Sequence, residues 1–171
     1  MLLVDDNHIN LKLLQTFMKK RKYTAVTNAE DGLQAVNAYT SLLQQTPPSP
    51  PDIILMDISM PIMDGFEATR RIREIERAYY ETLPPEQTPA NCLIIALTGL
   101  ASARDQSEAF TSGFDLYVTK PVSFKEISRL LDNWEGNGGG GVGVPHGAAV
   151  GGPVGGPNRL NGLNGPNSLM A

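Results

Sequence analysis

The sequence predicts an α/β domain built on one parallel sheet with helices on both faces. Two observations lead there. Five short runs, at 2–4, 24–27, 53–56, 93–97 and 116–118, are mostly aliphatic and do not alternate with polar residues, the pattern of strands buried on both faces. Amphipathic stretches of helical period separate each run from the next. Strands and helices in strict alternation build a doubly wound sheet with right-handed crossovers.

The helical stretches carry their own start and stop signals. The first spans about 7–21. Its apolar residues Ile9, Leu13, Leu14, Phe17 and Met18 form one wide stripe with Leu11 at the edge, and Lys19, Lys20, Arg21 and Lys22 complement the dipole at its C-terminal end. The second spans about 31–43. The third, about 66–79, pairs Glu67 with Arg71 and Arg70 with Glu74 at helical spacing. The fourth opens at Ser102 and ends at Gly113, a residue suited to the left-handed position after a helix. The fifth opens with a capping box, Ser123 with Glu126, and continues as the face Ile127, Leu130, Leu131, Trp134. Stretches 46–51 (TPPSPP) and 81–91 are polar and proline-containing, and read as surface loops.

Composition divides the chain. Of 171 residues, 136–171 hold thirteen of the 17 glycines and a single charge, Arg159. Such a low-complexity tail cannot bury a core and is expected to be disordered, leaving residues 1–135 as the domain. There, eighteen acids face thirteen bases, with no basic run of the kind that binds nucleic acid. No apolar run is long enough to span a bilayer, and Asp5 and Asp6 interrupt the start too early for a signal peptide. The single cysteine, Cys92, fits a reducing intracellular setting, cytoplasmic or nuclear. The first strand begins one residue into the chain, whereas strands typically run to about five or six residues. The chain is therefore expected to be a truncated piece with its first strand cut short.

Ligands of a parallel sheet bind beyond the carboxyl ends of its strands. Asp5 and Asp6 follow the first run, Asp57 ends the third, Thr98 ends the fourth, and Lys120 follows the fifth. Singly, each has a plain reading. Asp5, Asp6 or Asn7 would cap the first helix, Asp57 would form a turn, Thr98 would end a strand, and Lys120 would be a solvated charge. Together they point elsewhere. Three carboxylates gathered on one edge repel one another. A hard divalent cation relieves that, and Mg²⁺ suits a site with few protein ligands and several waters. A lysine and a hydroxyl opposite the metal suit a phosphoryl group, whose transfer needs charge neutralisation and in-line positioning. A carboxylate can accept that group covalently.

The segments LLVDDNHIN, DIILMDISMPIMDGFEATRRIR, IIALTG and DLYVTKPVSFKEI resemble the receiver domains of two-component signalling, most of all those of hybrid histidine kinases. The resemblance covers about 2–134. It implies a flavodoxin-like sheet of order 2-1-3-4-5 and Asp57 as phosphoacceptor. Asp6, Asp57 and the backbone carbonyl of Ser59 would bind Mg²⁺, with Asp5 acting through a metal-bound water. Lys120 would pair with the acceptor and then with the phosphoryl oxygens. Thr98 would donate its hydroxyl to the phosphoryl group, and Tyr117 would be the aromatic that swings inward when Thr98 moves. The Lys120–Pro121 bond would be cis. The implied partner is a histidine phosphotransfer protein or a histidine kinase module, and the domain would be a phosphoacceptor rather than a turnover enzyme. Ile9, near the acidic pair, is either part of the core or left exposed for that partner. The early start, the long insertion before the fourth strand and the glycine-rich tail depart from the family pattern, and none touches the site.

Three rivals fit less well. A phosphohydrolase of the haloacid dehalogenase type places its nucleophile first, in an Asp-x-Asp motif, whereas the paired acids come first here and Ser59 stands where the second Asp belongs. A flavin or nucleotide binder needs a phosphate loop after the first strand, where Asp5 and Asp6 have the wrong charge. A receiver-like binding module without phosphorylation leaves the complete set of acids, Thr98 and Lys120 unexplained. His8 reads as a solvated residue of the first helical turn.

Overall fold

A computed structural model describes residues 1–99 and 103–136. The elements alternate as the sequence predicts: β1 (Leu2–Val4), α1 (His8–Lys20), β2 (Thr27–Ala29), α2 (Gly32–Leu43), β3 (Ile53–Asp57), α3 (Gly65–Tyr80), β4 (Leu93–Thr98), α4 (Ala103–Thr111), β5 (Leu116–Thr119) and α5 (Phe124–Gly136). The five strands form one parallel sheet of order β2-β1-β3-β4-β5. The glycine-rich residues 137–171 and the expected helix start at Ser102 lie outside the described residues.

Strand alternation divides the core into two layers. Leu2, Val4, Ile54, Met56, Ile94, Ala96 and Tyr117 pack with α2, α3 and α4. Leu3, Ile53, Leu55, Ile95, Leu97 and Val118 pack with α1 and α5. Burying each large aliphatic side chain contributes roughly 1.5–3 kcal/mol, so the sheet is held from both faces.

Two expectations need correction. The apolar run at 24–27 is not the second strand, which begins at Thr27 and pairs in register with Leu2. β2 is an edge strand whose residues run from half-buried Thr27 to buried Ala29, so hydrophobicity does not mark it. Val26 and Tyr23 instead pack onto the α1–α5 layer. Nor is the apolar stripe of α1 buried throughout. Leu11, Leu14 and Met18 are buried, while Ile9 and Leu13 stand 71% and 51% exposed. An apolar arc spanning half the helix is wider than the contact the sheet and α5 offer.

Helix ends follow local chemistry. Asn7, Asp31 and Asp64 cap α1, α2 and α3 through their side chains. Gly113, at φ 101°, completes a paired-bond C-terminal motif on α4: its N–H donates to Phe110 and that of Phe114 to Ala109. Lys22 forms the same motif after α1, at φ 68°. The basic cluster there does more than complement the dipole, because Arg21 reaches Asp132 on α5.

The base of the sheet, opposite the carboxyl ends of the strands, is closed by a buried polar network. Arg73 of α3 pairs with Glu76 at 2.7 Å and Asp115 at 2.6 Å, and donates to the carbonyls of Cys92 and Gly113. Glu76 is almost fully buried and accepts from the Cys92 N–H at 2.7 Å and from the Tyr39 hydroxyl. Burial opposes the Arg73 charge, but Asp115 and Glu76 more than offset it and raise its pKa. Burial drives the Cys92 thiol well above its ordinary range, so it is inert packing.

Removing one partner of a buried pair strands the other charge, at a cost of about 3–5 kcal/mol. Glu76→Ala should therefore lower the chemical-denaturation midpoint strongly. Glu76→Gln, which retains an acceptor for the Cys92 N–H, should cost less.

Candidate phosphoryl-acceptor site

The carboxyl ends of β1 and β3 lie side by side, because Val4 pairs with Met56. Asp57 is the last residue of β3, and Asp5 and Asp6 directly follow β1. One oxygen from each of the three carboxylates lies within 4.8 Å of the others. Asp5 and Asp57 are buried, while Asp6 is exposed and opens the cluster to solvent.

Lys120 enters from the far side of the sheet. Thr98 pairs with Thr119, and the Thr98 carbonyl accepts the Lys120 N–H at 2.7 Å, which fixes where the lysine departs from β5. Its ammonium reaches Asp57 at 2.6 Å and Asp5 at 3.3 Å. The following Lys120–Pro121 peptide is cis, as the resemblance implies. Thr98 is buried at the end of β4.

The plain readings divide: Thr98 does end β4. Asn7, not either aspartate, caps α1, accepting from the N–H groups of Ile9 and Asn10. Asp64 caps α3. Lys120 is paired rather than solvated. His8 does fit its plain reading: it is exposed, 3.3 Å from Glu30.

Sequence reasoning missed Asn10. Its side-chain amide donates to both oxygens of Asp5, at 3.1 and 3.2 Å, and the Asn7 N–H adds a third bond at 2.9 Å. Asp5 is thereby held in one orientation by the first turn of α1. The spacing was readable, since a residue three positions after a cap lies above it on the helix, but nothing in the sequence marked Asp5 as its target. Gly65 was missed as well. A Cβ there would fall 2.3 Å from the Asp57 carbonyl oxygen, so only glycine lets α3 start against the end of β3.

Tyr117 lies inward. It is buried on β5 and meets Phe110 of α4 edge to face at 6.0 Å. Ser59 is exposed and donates its N–H to Asp57 at 3.3 Å.

The site carries three carboxylates against one ammonium. Burial raises the Asp57 pKa and Asp5 adds to the rise, against the lowering effects of Lys120 and the Ser59 N–H. Burial acts against the Lys120 charge too, but its bond to Asp57 outweighs it and the lysine stays protonated. The residues thus fit a divalent cation: hard oxygen donors, excess negative charge and an open side.

The profile of the response regulator receiver domain matches residues 1–132. The chain belongs to the response regulator receiver family. Among its relatives, the response regulator mcs4 of Schizosaccharomyces pombe is 36% identical over 148 residues, a match covering 78% of this chain but 27% of mcs4. The receiver thus spans about a quarter of that protein, and less of several hybrid histidine kinases. Among solved structures, the receiver domain of Saccharomyces cerevisiae Ssk1, crystallised with the histidine phosphotransfer protein Ypd1, is 31% identical with a TM-score of 0.65, covering 78% of this chain and 86% of that one. The Mg²⁺ complex of the receiver of Arabidopsis thaliana histidine kinase CKI1 is 29% identical with a TM-score of 0.66, covering 77% and 88%. Among the described residues of this receiver, no helix is long and apolar enough to cross a membrane.

The Asp57 shift has a consequence for stability. Its folded-state pKa lies above the ordinary carboxylate value, so its favourable contribution is complete at pH below that value and is lost as pH rises through the folded one. In metal-free solution at neutral pH, Asp57→Asn should raise the thermal midpoint. The gain should vanish in strong acid, and Mg²⁺ should narrow it by stabilising wild type alone.

Proposed function

We propose that this receiver accepts a phosphoryl group on Asp57 from a phosphohistidine, with Mg²⁺, in a phosphorelay. The observation that carries the proposal is the cluster itself: three carboxylates within 4.8 Å and Lys120 at 2.6 Å from the buried Asp57. A structural role would favour fewer acids at a buried edge.

Asp6, Asp57 and the Ser59 carbonyl would hold the ion, with Asp5, already saturated by Asn7 and Asn10, acting through water. When bound, the ion neutralises the negative charge that gathers as phosphoryl oxygens approach the acids. The chain's own residues do the rest. The Asp57 carboxylate forms the O–P bond as the P–N bond of the donor breaks, and the departing imidazole keeps the electron pair and takes a proton from solvent. Lys120, already beside Asp57, turns to the phosphoryl oxygens. Thr98 donates its hydroxyl to the same group. Tyr117 would couple this movement to the face of α4, β5 and α5. Hydrolysis returns the free carboxylate, and the domain works as a switch within residues 1–135 without turnover of a separate substrate.

The donor is a histidine phosphotransfer protein or a histidine kinase module, and it docks on the first turns of α1. Ile9 and Leu13 are exposed apolar neighbours there, one helical turn apart and next to the acidic pair. No basic patch suited to nucleic acid enters this reading.

With acetyl phosphate and Mg²⁺, intact mass should show one phosphate on wild type and none on Asp57→Asn. An acid-stable phosphate of equal yield on the variant would overturn the acceptor assignment. Ile9→Asp should lower the rate of transfer from a phosphohistidine protein relative to labelling by acetyl phosphate. An unchanged ratio would remove Ile9 from the docking surface.

A further inference from the structure

Lys120 is one ammonium between two buried carboxylates, and it does not divide its bonds evenly. It stands 2.6 Å from Asp57 and 3.3 Å from Asp5. The asymmetry has a source in α1. Asp5 already accepts the Asn7 N–H at 2.9 Å, and the Asn10 amide donates to both of its oxygens, at 3.1 and 3.2 Å. Asp57 accepts, besides Lys120, the Ser59 N–H at 3.3 Å.

Asp5 is 1% exposed, so protein donors must satisfy its charge. If the Asn10 bonds were lost, the donor best placed to replace them is Lys120, already at 3.3 Å. Its three N–H groups ride on a flexible stem and turn readily toward an unsatisfied acceptor. The gain at Asp5 would be a loss at Asp57.

The type of residue matters as much as its place. An amide brings donors without charge. A lysine or arginine there would also hold Asp5, but it would cancel one of the negative charges that suit the site to a divalent cation. Nor does the helix need the Asn10 side chain as a cap. Asn7 caps α1, and the Asn10 N–H is one of the groups it satisfies, at 3.3 Å. That bond fixes the Asn10 backbone in the first turn and leaves its side-chain amide for Asp5.

We propose that Asn10 is a positioning residue for phosphoryl transfer: by satisfying Asp5 with neutral donors from α1, it assigns Lys120 to Asp57, where the ammonium meets the oxygens of the incoming phosphoryl group. This rests on the proposed function and adds to it the residue that settles how one lysine is divided between two acids. Asn10 acts through Asp5 and Lys120, not on the reacting atoms.

The test measures the initial rate of labelling by acetyl phosphate at saturating Mg²⁺ for the full chain, Asn10→Ala and Asn10→Leu, each with Lys120 intact and in a Lys120→Met background. Ala and Leu are better helix formers than Asn, so α1 should stay folded. With Lys120 present, both variants should label about tenfold more slowly, the order expected for losing one hydrogen bond to a charged group. Leu keeps the bulk of Asn without its donors, so agreement between the two assigns the loss to the missing bonds. In the Lys120→Met background the same substitutions should change the rate by no more than about twofold, because no ammonium remains to be misplaced, whereas a residue that merely stabilised α1 would slow both backgrounds alike. A crystal structure of metal-free Asn10→Leu should show the Lys120 ammonium nearer Asp5 than Asp57, the reverse of the present order. If the ammonium stays on Asp57, or the variants lose the same factor in both backgrounds, Asn10 is not a positioning residue and Asp57 stands as acceptor. If wild type and Asp57→Asn are labelled alike, the acceptor assignment fails, and this proposal with it.

Discussion

One ammonium facing two buried carboxylates governs the functional edge of this protein. Lys120 reaches Asp57 and Asp5 at once, and with Asp6 nearby the charges do not balance. A buried edge left with excess negative charge is a poor way to stabilise a sheet. Three carboxylates against one ammonium leave a surplus of two negative charges, which suits a divalent cation.

The remaining architecture serves to keep that edge in place. β1 and β3 are adjacent, so the acids at their ends meet, and the Thr98 carbonyl sets the starting point of Lys120. Asn10 locks Asp5, and Gly65 lets α3 begin against Asp57. At the opposite end Arg73 pairs with both Glu76 and Asp115 inside the fold. The two ends show the same residue types used for opposite purposes. The base also sets two carboxylates against one guanidinium, but all three groups are bonded to backbone as well and form a clamp, whereas the top adds a third acid, the exposed Asp6.

Much of this was legible in residue order. The acids, Thr98 and Lys120 each follow or end an aliphatic run, and a parallel sheet must bring such positions to one edge. The alternation of runs and amphipathic stretches determined the fold class, because strands buried on both faces carry a pattern that little else does. Asn7 was named among possible caps, Gly113 stands left-handed as its position suggested, and the Ser123 hydroxyl accepts from the Glu126 N–H. Such local signals are readable because the chemistry that satisfies them lies within one turn of chain.

What the tertiary structure decided were matters of competition between distant groups. Hydrophobicity alone placed the second strand too early, since an edge strand is chosen by register against β1 rather than by apolar content. The same signal over-counted the buried face of α1, because the width of that face depends on how much sheet and α5 lie beneath it. Which of three adjacent polar residues caps α1, and which are thereby left for the site, was settled only when Lys120 and Asn10 arrived to claim Asp5. Ile62 makes the point most sharply. Its sequence neighbours suggest an ordinary turn, whereas the bonds made by Gly32, Gly65 and Asp64 around it hold a branched residue in the left-handed region with its side chain exposed. The sequence by itself determined the kind of sheet and the residue types at its edge, because both follow from local patterning. The fold determined which of those residues meet, since contacts across the chain depend on geometry that no single segment contains.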